Sequence, residues 1–298
     1  MSPLGNMGNL TIIKEFLLLG FGSLHGIQFF LFAIFLGIYV VNLLGNILIL
    51  AVISSDCSLQ TAMYFFLFNF SFLEIWFTTS VAPRMLQTLL SGPEVTSFAG
   101  CVAQFYFFGS KAVAECFLLT AMSYDRYLAI RSPLQYPCLM NLHICVLLAG
   151  RSWPDGFLTP VVTVTMTFQL PFCAAYDIDH FFCDLSPVLK LACSDPETVE
   201  KTTFLMPPLS QIPSATGKQW TFSTYSSHLI VVTPYYGNMG TVYAIPIAAQ
   251  ATALNKIFSL LYTVVTPMIN LIVYNLRNKD VKKAVRTFLS QWAYSKEN

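Results

Sequence analysis

Charged side chains are scarce in this sequence. Only 10% of the 298 residues are Asp, Glu, Lys or Arg, whereas 55% are hydrophobic, and the mean hydropathy is +0.61. Because ordinary soluble domains carry about 25% charged residues, this composition indicates a chain whose main solvent is lipid. The net charge is only +1, and no basic stripe with interleaved aromatics is present, so nothing suggests binding to nucleic acid.

Features of other membrane-protein classes are also missing. Outside residues 180–184, no nucleophile, base or metal-binding side chains converge in the sequence as an enzyme requires. No repeated hydropathy halves or paired broken helices suggest a transporter. Residues 1–26 lack the basic start, short apolar stretch and cleavage site of a removable signal peptide. We therefore expect no enzyme and no cofactor, and we expect the first helix to target the chain to the membrane.

Long apolar runs divide most of the chain into membrane spans. A helix needs about 20 apolar residues to cross the hydrocarbon core of roughly 30 Å. The fourth run contains Arg151, Pro154 and Asp155 near its middle, so an i,i+4 pair and a missing amide donor should weaken that helix. Six full spans can be defended. Four of them cover residues 27–53, 100–121, 142–170 and 257–274, a further span begins at residue 62, and another begins at residue 222.

The two ends of the chain differ in character. An Asn-x-Thr acceptor pattern begins at Asn9, so we predict that residues 1–26 form an extracellular tail glycosylated at this asparagine. Residues 277–298 contain a basic run between positions 282 and 286, and basic residues close to a helix end belong in the cytoplasm. Residues 27–276 are then the transmembrane bundle.

Three ionisable residues lie within the apolar runs. Glu74 falls in the second run, and Lys111 and Glu115 fall in the third, four residues apart on one helix face. Charges at this depth need a partner, a proton or water. The two acids are either neutral, hydrogen-bonded groups or an intramembrane sodium or proton site. Lys111 either pairs with Glu115 or offers an amine to an acidic or aldehyde ligand.

A ten-residue segment closes the third run. Residues 122–131 read Met-Ser-Tyr-Asp-Arg-Tyr-Leu-Ala-Ile-Arg, with Asp125 and Arg126 where the hydrophobic run meets water. This segment resembles the end of the third helix of rhodopsin-like seven-helix receptors, in the olfactory receptor form. The segments at 63–67, 222–229 and 266–270 resemble the same family. The departures from its pattern are Ala62, Arg131, Tyr225 and Leu271.

The resemblance implies a seven-helix, all-α receptor bundle in the plasma membrane. Its ligand is expected to be a small volatile odorant, and its partner a heterotrimeric G protein of the stimulatory, olfactory type. The motif implies that G-protein coupling involves Asp125, Arg126 and Tyr127. The residues implied to line the odorant pocket are Phe105, Phe108, Gly109, Ala112, Val113 and Tyr236, although Tyr236 also suits simple aromatic packing.

Four of the eight cysteines map to the outer side by this topology, where oxidation is possible. Spacing alone permits three pairings. The resemblance implies disulfides that close the long outer loop, residues 171–201, by joining Cys101 to Cys183 and Cys173 to Cys193. His180, Cys183 and Asp184 could instead bind copper or zinc, but we expect no metal because the disulfide uses Cys183.

The stretch where the resemblance requires a fifth helix is too short. Only residues 196–211 are available, and charged residues and prolines leave at most 202–206 as an unbroken apolar piece. We therefore predict that most of the fifth helix is missing, with a deletion junction near residues 202–212. An extracellular first tail and a cytoplasmic last tail require an odd number of membrane crossings, and six spans do not provide one. Two functions stay open: an odorant-detecting receptor, or a non-signalling product that is truncated, misfolds or is retained in the endoplasmic reticulum.

Overall fold

Three long apolar helices lead the fold. The structure is a computed structural model. Among the residues that it describes, three helices are long and apolar enough to cross a membrane: α1 (Gln28–Ser55), α2 (Ala62–Ser91) and α3 (Phe98–Arg131). The first three predicted spans are thus helical. The described residues are 14–22, 28–172, 176–193, 198–199, 202, 256, 259–260, 263–264, 266–272, 281–288 and 290.

Local polar and glycine residues explain where these helices begin and end. A short 3-10 helix, Cys57–Leu59, follows α1, and the Asp56 carboxylate caps it by accepting the Ser58 amide at 2.9 Å. Gly92 ends α2 with a φ of 78°, a conformation that favours glycine. Ser97 then caps α3 by accepting the Gly100 amide at 3.1 Å.

The fourth span is a continuous helix despite its prolines. A single helical turn, α4 (Tyr136–Leu139), lies in the loop of residues 132–141, the inner loop of the predicted topology, and precedes α5 (Leu142–Phe168). Pro154 lies inside α5 without ending it. The expected i,i+4 pair is present, with Arg151 Nε 3.2 Å from Asp155 Oδ2, on a face where the arginine side chain is 78% exposed. The weakening predicted for this span therefore does not break the helix.

Helices α3 and α5 approach each other closely through small side chains. A Cβ added at Gly156 would lie 2.7 Å from Ala114 Cβ, and one added at Gly109 would lie 3.2 Å from Pro160 Cβ. Lipid supplies no hydrophobic driving force for contact between helices, so membrane helices associate through close van der Waals packing, which small residues permit. The buried face of α5 consists of residues without long side chains: Cys145, Ala149, Ser152, Gly156, Pro160, Thr163 and Thr167.

A small sheet covers the end of the helices that the sequence predicts to be extracellular. Its strands are β1 (Glu15–Leu18), β2 (Glu94–Ser97) and β3 (Asp177–Ile178), in the order β2-β1-β3. Strand β1 is antiparallel to β2 and parallel to β3. Phe16 and Leu18 are buried while Glu15 is exposed, which is the alternation of a strand with one covered face. Strand β1 thus lies within residues 1–26, which the sequence predicts as an extracellular tail.

Short helical segments complete the described architecture. Helix α6 (Leu185–Leu189) lies in the outer loop, and α7 (Thr266–Leu271) lies within the predicted last span. Residues 281–288, which lie in the predicted cytoplasmic tail, are also helical. Several expectations lie outside the described residues: glycosylation at Asn9, the role of Tyr236, the Cys173 half of a disulfide and almost all of the junction at 202–212.

Candidate functional site

The outer half of α3 carries most of the expected pocket residues. Phe108 is buried, and its ring lies 5.7 Å from Phe77 of α2 and 5.0 Å from Phe182 of the outer loop. Phe105, one turn earlier, is buried in a cluster with Leu185 and Leu189 of α6. The structure thus brings these two phenylalanines under the outer loop, in apolar and aromatic surroundings.

The other expected α3 residues differ in their neighbours. Ala112 and Val113 are both buried, and Ala112 joins the main hydrophobic cluster of the bundle. Gly109 faces Pro160 of α5 at the close contact described above. Its lack of a side chain therefore serves the approach of two helices.

A disulfide holds the outer loop above α3. Cys101 and Cys183 are bonded, with Cα atoms 5.5 Å apart, which confirms the first expected disulfide. Gln104 Oε1 also accepts the Cys183 amide at 3.2 Å. Cys193 is disulfide-bonded as well, and its expected partner Cys173 lies outside the described residues. Covalent and polar links to α3 thus fix the loop that carries Phe182.

Two buried ionisable groups shape this loop. Burial lowers the pKa of His180 to about 3, and its Nδ1 accepts the Phe182 amide at 3.4 Å. Burial raises the pKa of Asp184, which caps α6 by accepting the Leu185 amide at 2.8 Å. Because the sulfur of Cys183 is in the disulfide, a copper or zinc site of three ligands cannot form here. Among the described residues, no group of three His, Cys, Asp or Glu side chains is placed to hold a metal ion.

The ionisable residues of the spans meet in one buried cluster. The Lys111 ammonium forms the predicted ion pair with Glu115, and its Nζ also lies 3.9 Å from Glu74 Oε1. Asn270 of α7 donates from Nδ2 to Glu74 Oε1 at 3.0 Å and to Glu115 Oε1 at 3.1 Å. All four side chains are at most 2% exposed. The cluster joins α2, α3 and α7.

At the inner end of α3, Asp125 and Arg126 have different surroundings. The Asp125 carboxylate is 2% exposed and accepts the Tyr136 hydroxyl at 2.7 Å. Burial, together with this bond, raises the pKa of the Tyr136 phenol. Arg126 is exposed and its guanidinium contacts the sulfur of Met63 at the start of α2. The acid is thus held by the inner loop, while the arginine lies at the open surface.

Sequence reasoning missed two residues of these sites. Tyr136 lies in the inner loop, and nothing in its local sequence pattern indicates a bond to Asp125. Asn270 was noted only within a family-like segment. An amide in the middle of an apolar run is itself a signal, because it must find polar partners inside the bundle. That signal could have linked Asn270 to the two intramembrane acids.

Comparisons with known proteins agree with the fold and the motifs. The family model described as "Olfactory receptor" matches residues 35–205 and 199–292, two segments that overlap at 199–205. Olfactory receptor 11L1 of Homo sapiens is 42% identical, with 97% of each chain covered. Olfactory receptor 10A5 of Homo sapiens is 46% identical, over 95% of this chain and 96% of the relative. Olfactory receptor 5AP2 of Mus musculus is 41% identical over the same shares.

One alignment also bears on the length of the chain. The alignment with Olfactory receptor 11L1 extends over 313 positions, which is 15 more than the 298 residues of this chain. At least 15 positions of the relative therefore face a gap in this chain. The relatives cover nearly the whole chain at more than 40% identity, and the family model matches most of it. The chain belongs to the olfactory receptor family, and its fold is the seven-helix membrane bundle of G-protein-coupled receptors.

Proposed function

We propose that this chain detects small volatile molecules in a pocket on the outer half of α3 and signals through a stimulatory G protein at the plasma membrane. One observation carries this proposal: Phe108 lies between an aromatic ring of α2 and one of the outer loop. Binding sites for small apolar molecules are concave, largely preformed and lined by such side chains. The loop is fixed by the Cys101–Cys183 disulfide, so the cover of the pocket is in place before a ligand arrives.

The proposed pocket is lined by Phe105, Phe108, Ala112 and Val113, with Tyr236 as a further candidate. The four described residues are at most 8% exposed, and none of them carries a charge. Ligand affinity would therefore come from burial of apolar surface, at about 25 cal/mol per Å². Removal of one phenyl ring that contacts the ligand should cost about 1.5–3 kcal/mol, which is a roughly 10- to 100-fold loss of affinity.

The proposed coupling site is the inner end of α3, with Asp125, Arg126 and Tyr127. Arg126 is already exposed, and Asp125 is held by Tyr136 rather than by the arginine. Ligand binding would shift the population of the bundle toward a state in which the arginine contacts the G protein. The G protein of stimulatory type would then raise cAMP.

We also propose a topology with residues 1–26 outside, glycosylated at Asn9, and residues 277–298 inside. The deletion near residues 202–212 is part of the same proposal. It is supported by the position at which the two family-model segments meet, residues 199–205, and by the alignment gaps. A tag after Asn298 that stains only permeabilised cells would support the inner tail, and staining of intact cells would contradict it.

The function is tested by cAMP responses in cells that express the full chain. We expect at least one compound of a panel of volatile esters, aldehydes and acids to raise cAMP, and Arg126→Gln to abolish the response at unchanged surface staining. Phe108→Ala should raise the half-maximal concentration by about 10- to 100-fold.

The neighbouring residue supplies the control. Phe107 is 44% exposed and contacts Trp76 on another face of α3, so Phe107→Ala should leave the half-maximal concentration unchanged. A chain that reaches the cell surface but gives no cAMP above that of Arg126→Gln with any compound would contradict the proposal. That outcome would favour the non-signalling interpretation.

A further inference from the structure

The cluster around Lys111 contains a cation that belongs to the chain itself. Its ammonium forms an ion pair with Glu115 and lies 3.9 Å from Glu74 Oε1. The Lys111 Nζ also lies 4.6 Å from the centre of the Phe77 ring, a distance at which a cation is attracted to an aromatic face. The lysine side chain is 1% exposed. The ammonium is therefore a fixed part of the interior.

The two acids require such a cation. Glu74 and Glu115 are at most 1% exposed, and Asn270 Nδ2 donates to one oxygen of each. A pair of carboxylates brought this close inside a membrane protein repels, and its desolvation is unfavourable unless a positive charge or a proton balances it. The amide of Asn270 supplies only a dipole. Among the described residues, Lys111 is the cation that the structure places beside both acids.

The oxygens of the same cluster are suited to a free cation. Glu74 Oε2 and Asn270 Oδ1 are buried and have no hydrogen-bond partner among the described residues. The same holds for the hydroxyl of Ser71, which precedes Glu74 by three residues on one face of α2. Carboxylate, amide and hydroxyl oxygens are the ligands that hard metal cations prefer. Without the ammonium, the carboxylate oxygens of Glu74 and Glu115 and the amide oxygen of Asn270 would line a site between three helices.

We propose that the Lys111 ammonium occupies a site for a small monovalent cation and makes the helix bundle independent of Na⁺. The tethered charge links α2 and α3 by ion pairs, and Asn270 adds α7 to the same acids. Because the cation is covalently attached, its local concentration does not vary with the medium. This inference concerns the stability of the bundle and does not depend on whether the chain detects odorants.

The alternative role for Lys111 is that of an amine for an acidic or aldehyde ligand. Such a role requires the ammonium to point toward the pocket and to exchange its partners for the ligand. In the structure the ammonium is directed to Glu115 and Glu74. This alternative makes a different prediction: substitution of Lys111 would remove responses to acids or aldehydes and would leave the melting temperature insensitive to Na⁺.

The test compares the melting temperature of the full chain, purified in detergent, in NaCl and in N-methyl-D-glucamine chloride at equal ionic strength. We expect the unmodified chain to melt at the same temperature in both salts. Lys111→Ala vacates the space of the ammonium, so its melting temperature should fall in the large organic cation. In about 150 mM Na⁺ it should recover by several degrees, because a ligand that binds only the folded state stabilises it.

Three variants isolate the cause of that recovery. Lys111→Met fills the space without a charge, so it should be destabilised in both salts. Glu74→Gln combined with Lys111→Ala should lose the response to Na⁺. Arg151→Ala removes a cation from an exposed i,i+4 pair of α5, and it should show no response to Na⁺.

Two results would overturn the proposal. One is an unmodified chain that melts several degrees higher in NaCl than in the organic salt. The other is a folded Lys111→Ala chain whose melting temperature is the same in both salts. If Lys111→Ala cannot be purified without Na⁺, its folded yield after extraction in each salt gives the same comparison, and equal yields would count against the proposal.

Discussion

The contact between α3 and α5 allows a sharp prediction for Gly156→Ala. The added Cβ would lie 2.7 Å from Ala114 Cβ and 3.1 Å from the Cα and N atoms of the same residue. Carbon atoms in contact are normally about 3.5–4.0 Å apart, so the two helices must separate locally by about 1 Å. Because the obstructing atoms belong to a backbone and a Cβ, no flexible side chain can move away.

The magnitude follows from a matched variant on the same helix. Gly150 has no heavy atom within 4 Å of an added Cβ. Both glycine-to-alanine changes gain helix propensity, up to about 1 kcal/mol, and this gain cancels when the two variants are compared. The remaining difference is the strain of overpacking, about 1–3 kcal/mol. Gly156→Ala should therefore be less stable than Gly150→Ala by that amount.

Four described cysteines that form no disulfide supply the assay. Cys116 of α3 and Cys145 of α5 are buried, whereas Cys57 and Cys138 are exposed. A thiol-reactive fluorogenic dye will label the exposed pair before heating. The increase in dye fluorescence on heating then reports the exposure of the buried pair. We expect Gly156→Ala to melt below Gly150→Ala in detergent.

A second substitution tests the cause of that difference. Replacement of Ala114 by glycine in the Gly156→Ala chain removes the Cβ atom that the new alanine side chain contacts most closely. This double variant should therefore recover part of the lost stability. Equal melting temperatures of Gly156→Ala and Gly150→Ala, or no recovery in the double variant, would refute the close approach of α3 and α5.

Three further predictions address the inner end, the outer loop and its disulfide. Tyr136→Phe removes a hydrogen bond to a buried carboxylate, which is worth about 1.5–3 kcal/mol, so it should change basal cAMP and lower the melting temperature. The control Tyr124→Phe changes an exposed side chain and should alter neither quantity. Burial lowers the pKa of His180 to about 3, from about 6.5 in an unfolded chain, so the unfolded chain binds the extra proton between these values. Stability present above about pH 6.5 is thus lost as the pH falls toward 3, at about 1.4 kcal/mol per pH unit at most. His180→Asn should reduce the fall in melting temperature between pH 7.5 and 5.5, and a fall as large as that of the exposed control His143→Asn would contradict this. Cys101→Ser should lower surface staining and abolish odorant responses, and an unchanged response would show that the loop needs no covalent link to α3.

The sequence alone was sufficient for the class of the protein and for its longest elements. Apolar runs of membrane length predicted α1, α2 and α3, because helix length is set by the thickness of the bilayer. The i,i+4 spacing of Lys111 and Glu115 predicted their ion pair, since residues four apart share a helix face. The motif at the end of α3 indicated the family without any knowledge of the fold.

Other features depend on packing between distant parts of the chain, and only the tertiary structure decided them. Asn270 reaches Glu74 across 196 positions, and no local period predicts which helices become neighbours. The chain near Phe16 has no strand signal of its own and becomes strand β1 because two other segments provide its hydrogen bonds. Spacing and composition thus determined the helices, whereas the contacts between them determined which buried charges meet.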